Sequence, residues 1–265
     1  MIEKKPKGRD GVVIQEEQVI RPKKVWSEEV QKFLSYLRNQ GVTYVPEPLG
    51  YDEQGNEVVS YLAGEVYDYP LPPQLLTDSA ICSAGRLLRD FHDQNQGYLT
   101  SLSGTEPWML HSFGEREVMC HNDFAPYNVT TKNGIAIGII DFDTITPGSR
   151  TWDVSYAAYR WVPLEMNQGD PITDETCHRL KKFIEAYRLD ESEYPNLIPT
   201  MIERLSYMMD FITKAASRGE ANFQKNIQEG HLKKYEQDIQ WLLDNEKKFL
   251  ESCKMKKLEN KPFDF

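Results

Sequence analysis

The chain has 265 residues, 40% of them hydrophobic and 27% charged, with a net charge of −10. That composition supports a folded core rather than a disordered chain, and the acidic balance excludes a nucleic-acid binder that works by neutralising phosphates. No apolar run reaches the ~20 residues of a membrane helix, residues 1–10 lack the apolar stretch of an export signal, and Cys82, Cys120, Cys177 and Cys253 are scattered without a CxxC pair.

A reducing cytoplasm is the expected location, with no disulfide framework or zinc site, and with no nucleic-acid or membrane partner. A monomer or weak dimer is expected. Residues 1–24 carry seven Lys/Arg against four acids, a basic edge of +3 that either faces a polyphosphate or is a solvated terminus.

In chain order, Val12–Gln15 and Gln18–Arg21 read as a hairpin around Glu16-Glu17, a turn without the usual Gly or Asn. Ser27 then offers an N-cap, Glu28 and Glu29 suit a first turn, and Val30, Phe33, Leu34 and Leu37 form one apolar helical face ending at Gly41. Two strands, Glu47–Tyr51 and Glu57–Leu62, flank the turn DEQGN. Residues 11–62 therefore read β-β-α-β-β.

Past Gly64, a Pro-rich connection leads to a helix opened by Thr77 or Asp78, with Ala80, Ile81, Ala84, Leu87, Leu88 and Phe91 inward. Helical patterns return over roughly 174–188, 195–217 and 220–253. The fold class is α+β. A small β-rich lobe over residues 1–65 is followed by a larger, mainly helical lobe over 66–265, and the cleft between them is the expected place for a ligand.

The stretch between these helices concentrates chemistry. His121-Asn122-Asp123 is followed by Asn128, and the apolar run Ile135–Ile140 ends on Asp141. Phosphoryl transfer to an alcohol needs one carboxylate to take the hydroxyl proton, and one carboxylate with one amide oxygen to hold Mg²⁺ against a triphosphate. Asp123 suits the first role. Asn128 and Asp141 suit the second, because two strands around Lys132-Asn133-Gly134 would bring Asp141 back beside Asn128. Singly, such residues are ordinary turn formers and caps; the joint spacing is what points to a site.

These residues resemble the aminoglycoside phosphotransferase family, which shares a bilobal protein-kinase-like fold with choline kinases and similar small-molecule kinases. Glu57–Gly64 resembles the last strand and hinge of the first lobe, Leu87–His92 a helix with an LHD-type ending, and Thr151–Tyr156 the WDVA-type segment after the metal Asp. The similarity spans roughly residues 11–190. It implies a donor, ATP or GTP, with Mg²⁺ as cofactor, and a small-molecule acceptor bearing a hydroxyl: an aminoglycoside-like compound, an amino alcohol or a sugar. It implies Asp123 as base, Asn128 and Asp141 as metal ligands, and His121 as a brace for the loop. Backbone groups of Tyr61 and Leu62 would meet the nucleobase. Arg21 would stand where the family has its phosphate-binding Lys, Asp153 would anchor the loop, and Asp143 would assist metal or substrate.

The chain departs from the family in having no Gly-rich loop before Arg21. Either the cover is reduced or residues 4–11 supply it. Matching helix ends puts Val30 where the family has a Glu, with Glu28 and Glu29 adjacent. These departures motivate an alternative, a nucleotide-binding pseudoenzyme with a sensing, immunity or regulatory role. On the acceptor side, Trp161, Glu165, Asp170, Tyr207, Asp210 and Phe211 are candidate lining residues. Arg150 either orders the loop after the metal site or pairs with Asp153.

Overall fold

The computed structural model describes residues 11–164 and 172–254. Its first part is a four-stranded antiparallel sheet made of β1 (Val13–Gln15), β2 (Gln18–Arg21), β3 (Pro48–Tyr51) and β4 (Glu57–Ser60), in the order β1-β2-β4-β3. The β1–β2 hairpin forms without Gly or Asn because Glu16 and Glu17 both take positive φ, 49° and 63°. A two-residue hairpin turn of this hand requires that conformation, at a steric cost to any residue with a Cβ.

Helix α1 (Ser27–Asn39) buries Val30, Phe33, Leu34 and Leu37, the predicted face. Ser27 is not its cap. The helix begins after Trp26, and the Ser27 hydroxyl instead donates to Glu57 at 2.8 Å.

The remainder is mainly helical. In α2 (Asp78–Asn95) the Thr77 hydroxyl accepts the Ala80 N–H, as an N-cap does. This helix lies close against α4 (Asp174–Tyr187), and the contact depends on Gly85: a Cβ there would sit 2.6 Å from the Phe183 carbonyl oxygen.

Two short ribbons carry the loops of interest. Strand β5 (Val118–Cys120) pairs with β8 (Thr146–Gly148), and β6 (Val129–Lys132) pairs with β7 (Ile135–Ile139). The β6–β7 hairpin turns at Asn133 and Gly134, with φ of 53° and 76°, as the Asn-Gly pair predicts.

Helix α3 (Arg150–Trp161), capped by Ser149, has ten of its twelve residues buried and so shows no amphipathic stripe in the sequence. Helix α5 (Tyr194–Ser217) is followed by α6 (Ala221–Gln228) and α7 (His231–Lys254). The single helix expected over 220–253 is thus divided, at Gly230, whose φ is 83°. One continuous core joins sheet and helices. Phe33 of α1 meets Tyr98, Phe91 and Phe142 at centroid distances of 5.1, 6.1 and 6.2 Å.

Candidate active site

The loop after β5 is fixed by a buried anion. Asp153, on α3, accepts the backbone N–H groups of His121 and Asn122, each at 2.7 Å. It also accepts His92 Nε2 at 3.0 Å, while Tyr187 lies 2.7 Å from His92 Nδ1 and Arg150 donates to the Tyr187 oxygen at 3.3 Å. The donors run one way along this chain, from Arg150 through Tyr187 and His92 to Asp153.

Burial pushes the Asp153 carboxyl up, but the His92 bond, its neighbouring histidines and the His121 N–H outweigh it and hold it below the usual carboxylate range. Burial likewise lowers the His92 pKa, so a neutral imidazole faces an ionised carboxylate. Asp153 therefore anchors the loop, as the resemblance implies. Arg150 does not pair with it, and reaches Asp93 instead at 2.8 Å. From the other side, the fully buried Arg204 donates to the Asn122 carbonyl at 2.7 Å and lies 4.4 Å from the Tyr156 ring.

On this platform Asp123, Asn128 and Asp141 come together. Asn128 ends a short turn, Pro126–Asn128, and its amide nitrogen donates to Asp123 Oδ2 at 2.8 Å and to the Asp123 carbonyl at 3.0 Å. The Asn128 carbonyl accepts the N–H of Ile140 at 2.9 Å, which seats Asp141 next to it. Asp141 has φ of 64°, a left-handed conformation that turns the chain sharply off the end of the hairpin.

His121 bridges the two segments. Its Nε2 donates to the Ile140 carbonyl at 3.0 Å and its Nδ1 accepts the Asp123 N–H at 3.3 Å. Burial raises the Asp123 pKa and nearby Asp141 adds to the rise, while a 2.7 Å bond from the Tyr127 hydroxyl and the Arg160 guanidinium oppose it.

Arg21 closes the site from the sheet. Its Nε meets Glu57 at 2.9 Å, Nη1 meets Asp141 at 3.5 Å and Nη2 meets Asp143 at 2.9 Å. Burial works against this cation, but the three acids keep it firmly protonated. The acid paired with Arg21 thus comes from the adjacent strand, not from α1. Glu28 and Glu29 instead bind Lys32 on the outer face, and Val30 is core. Helix α1 contributes indirectly: Ser27 and Gln31 donate to the two oxygens of Glu57, at 2.8 and 3.0 Å.

Other expected positions fare unevenly. The Tyr61 N–H is already bonded to the Glu17 carbonyl at 2.6 Å, and the Leu62 side chain lies over Gly138, where no Cβ would fit. Trp161 is fully buried against Phe124. The Asp210 side chain is 76% exposed and its nearest cation is Lys214, one turn away. Tyr207 packs on Phe113 and Trp152, and Phe211 on Phe223. Glu165, Asp170 and residues 4–10 lie outside the described residues.

The residues around Asp123 that the sequence reading missed are aromatic and cationic: Tyr127, with Arg160 at 5.5 Å from its ring and 4.2 Å from that of Tyr69. Their signal was Tyr127 itself, four residues after Asp123 on a turn. Among the described residues, no three His, Cys, Asp or Glu side chains form a metal cluster. The donor set here is instead one carboxylate, Asp141, and the Asn128 amide oxygen, which faces away from Asp123 because the nitrogen faces toward it. Such hard oxygen donors fit Mg²⁺, which keeps several waters.

Comparisons with known proteins bear on the fold. Residues 98–188 match the model of the APH phosphotransferase enzyme family. The trifolitoxin immunity protein of Rhizobium leguminosarum bv. trifolii is 24% identical over 189 residues, covering 67% of this chain and 70% of that protein. A choline/ethanolamine kinase family protein from Mesorhizobium loti superposes with a TM-score of 0.61 at 14% identity, over 96% of this chain and 93% of that one. A spectinomycin phosphotransferase solved with ADP and spectinomycin gives 0.56 at 12% identity, over 92% of each chain. A phosphotransferase solved with streptomycin and ATP gives 0.51 at 14% identity, over 85% of this chain and 91% of that one. The chain therefore has the bilobal, protein-kinase-like fold of the aminoglycoside phosphotransferases and choline/ethanolamine kinases, with the phosphotransferase family's own pattern in residues 98–188.

Proposed function

We propose that the protein transfers the γ-phosphoryl group of ATP or GTP to a hydroxyl of a small molecule, with Asp123 as general base and Asn128 and Asp141 as its ligands to Mg²⁺. The observation that carries this reading is the bond from the Asn128 amide to Asp123, made while the Asn128 carbonyl holds the segment leading into Asp141. The metal, when bound, would neutralise charge on the β- and γ-phosphates. Asp123, buried and held above the usual carboxylate range, is the stronger base for it. It accepts the acceptor's proton as the acceptor oxygen attacks. Arg21 lies 3.5 Å from Asp141 and would contact phosphate oxygens in a forked geometry. His121, Asp153 and Arg204 hold the loop and do not react.

The solved relatives carry spectinomycin or streptomycin by name, and choline or ethanolamine by family. Amino-sugar, amino-alcohol and sugar acceptors are therefore the compounds to assay. The test is phosphate transfer to such a panel with both nucleotides. Turnover that disappears in Asp123→Ala and in Asp141→Ala supports the reading, and turnover that survives Asp123→Ala removes the base assignment.

A second reading, a nucleotide-binding protein that acts in immunity without turnover, is favoured by one relative's name and by the engagement of Arg21 with Asp141 and Asp143. It predicts stabilisation by nucleotide, about 2.7 kcal/mol at a hundred times Kd, with no product on any acceptor.

A further inference from the structure

Tyr127 has no part in the roles above, yet its hydroxyl donates to Asp123 Oδ1 at 2.7 Å. A phosphoryl acceptor must do the same, presenting an O–H to the base at roughly 2.6–3.2 Å. The second carboxylate oxygen, Oδ2, accepts the Asn128 amide at 2.8 Å, a bond that also orients the metal ligand. On Oδ1 the donor is the phenol itself, so a hydroxyl approaching that oxygen meets Tyr127 first.

The ring is braced there. Its centroid lies 6.4 Å from that of Tyr69 in an edge contact, and the Arg160 guanidinium lies 5.5 Å away. The phenol O–H is engaged as a donor to Asp123. Water is the smallest hydroxyl compound present, and a base open to water would hydrolyse the nucleotide whenever no acceptor was bound.

We propose that Tyr127 determines which hydroxyls reach the base. Its phenol stands in for the acceptor's hydroxyl on Asp123, keeps water from that oxygen, and gives way to an acceptor whose remaining contacts displace it. The inference rests on the phosphotransferase reading above. The suppressed reaction is plain hydrolysis: a water proton passes to Asp123 as the water oxygen bonds the γ-phosphorus. The bond from that phosphorus to the β,γ-bridging oxygen breaks, leaving nucleoside diphosphate and inorganic phosphate.

The experiment measures phosphate release from Mg·ATP and Mg·GTP, without acceptor, by the full chain and by Tyr127→Phe, Asp123→Asn and the double variant. Nucleotide-dependent thermal stabilisation and the intact mass are recorded on the same samples. Tyr127→Phe is expected to hydrolyse nucleotide roughly tenfold faster than the parent, an effect of opening a general base to water. The double variant is expected to return to the Asp123→Asn rate. A tyrosine that only packs would give no gain when its hydroxyl is removed. Tyr127→Leu serves as a second hydroxyl-free variant if Phe perturbs folding.

An unchanged or slower rate in folded variants that still bind nucleotide overturns the proposal and leaves the phosphotransferase reading standing. A phosphate found on Tyr127 of the parent also overturns it, since the residue would then be an acceptor rather than a guard. Absence of nucleotide stabilisation in every protein, parent included, defeats the phosphotransferase reading and the proposal with it.

Discussion

Asp123 and Asp153 are two buried carboxylates with opposite electrostatic histories. Burial raises the pKa of Asp123, so stability falls as pH rises from the unfolded to the folded value, whereas the proposed base role needs the ionised form. Transfer should therefore fall as pH drops through a value above the ordinary carboxylate range, a limb visible in a pH–rate profile. Asp123→Asn should reduce turnover by about 10²–10⁴-fold, the typical worth of a general base, with a thermal midpoint at neutral pH no lower than the parent's.

Asp153 has the reverse sign. Its folded pKa is depressed, so it supports the fold above the unfolded carboxylate pKa and that support is lost as pH falls through the folded value. Asp153→Asn leaves His92 and two backbone donors with a poorer acceptor, and should cost about 1.5–3 kcal/mol in a denaturant titration at pH 7. The trio Asp123, Asn128 and Asp141 was legible in the sequence because the roles fall on one loop and one hairpin, whose lengths fix their separation. Glu57 was not, since its partner Arg21 lies on a neighbouring strand, and strand register is set by pairing rather than by spacing along the chain.

Elements with one wet face announced themselves, and elements without one did not. Helices α1 and α2 and the β6–β7 hairpin follow the sequence pattern, whereas α3 is buried almost all round and leaves no periodicity to read. The divide between α6 and α7 comes down to Gly230, a single residue in a strongly helical composition. The α2–α4 contact shows how much an element can depend on one missing atom. Gly85→Ala places a methyl against the Phe183 carbonyl, and should cost about 1–3 kcal/mol as α4 is pushed away. Chemical denaturation of the variant measures it.

At the scale of the whole molecule, the acidic balance excluded classes of partner but could not locate an acceptor pocket. Net charge has no address, and Trp161 and Asp210 prove to be core and open surface. What unites the molecule is aromatic: Phe33 of the first lobe packs on Phe142, the residue after Asp141. Phe33→Ala should lose about 3–5 kcal/mol of stability and should also weaken Mg·nucleotide binding, measured by calorimetry, because Asp141 loses its backing.

Arg21 carries a final consequence. One guanidinium meets three carboxylates here, Glu57, Asp141 and Asp143. On the proposed reading, a divalent cation is attracted to such a group of acids, whereas a bare triphosphate is repelled by it. If the phosphotransferase reading holds, ATP offered in chelator should give little or no heat where Mg·ATP gives a saturating isotherm.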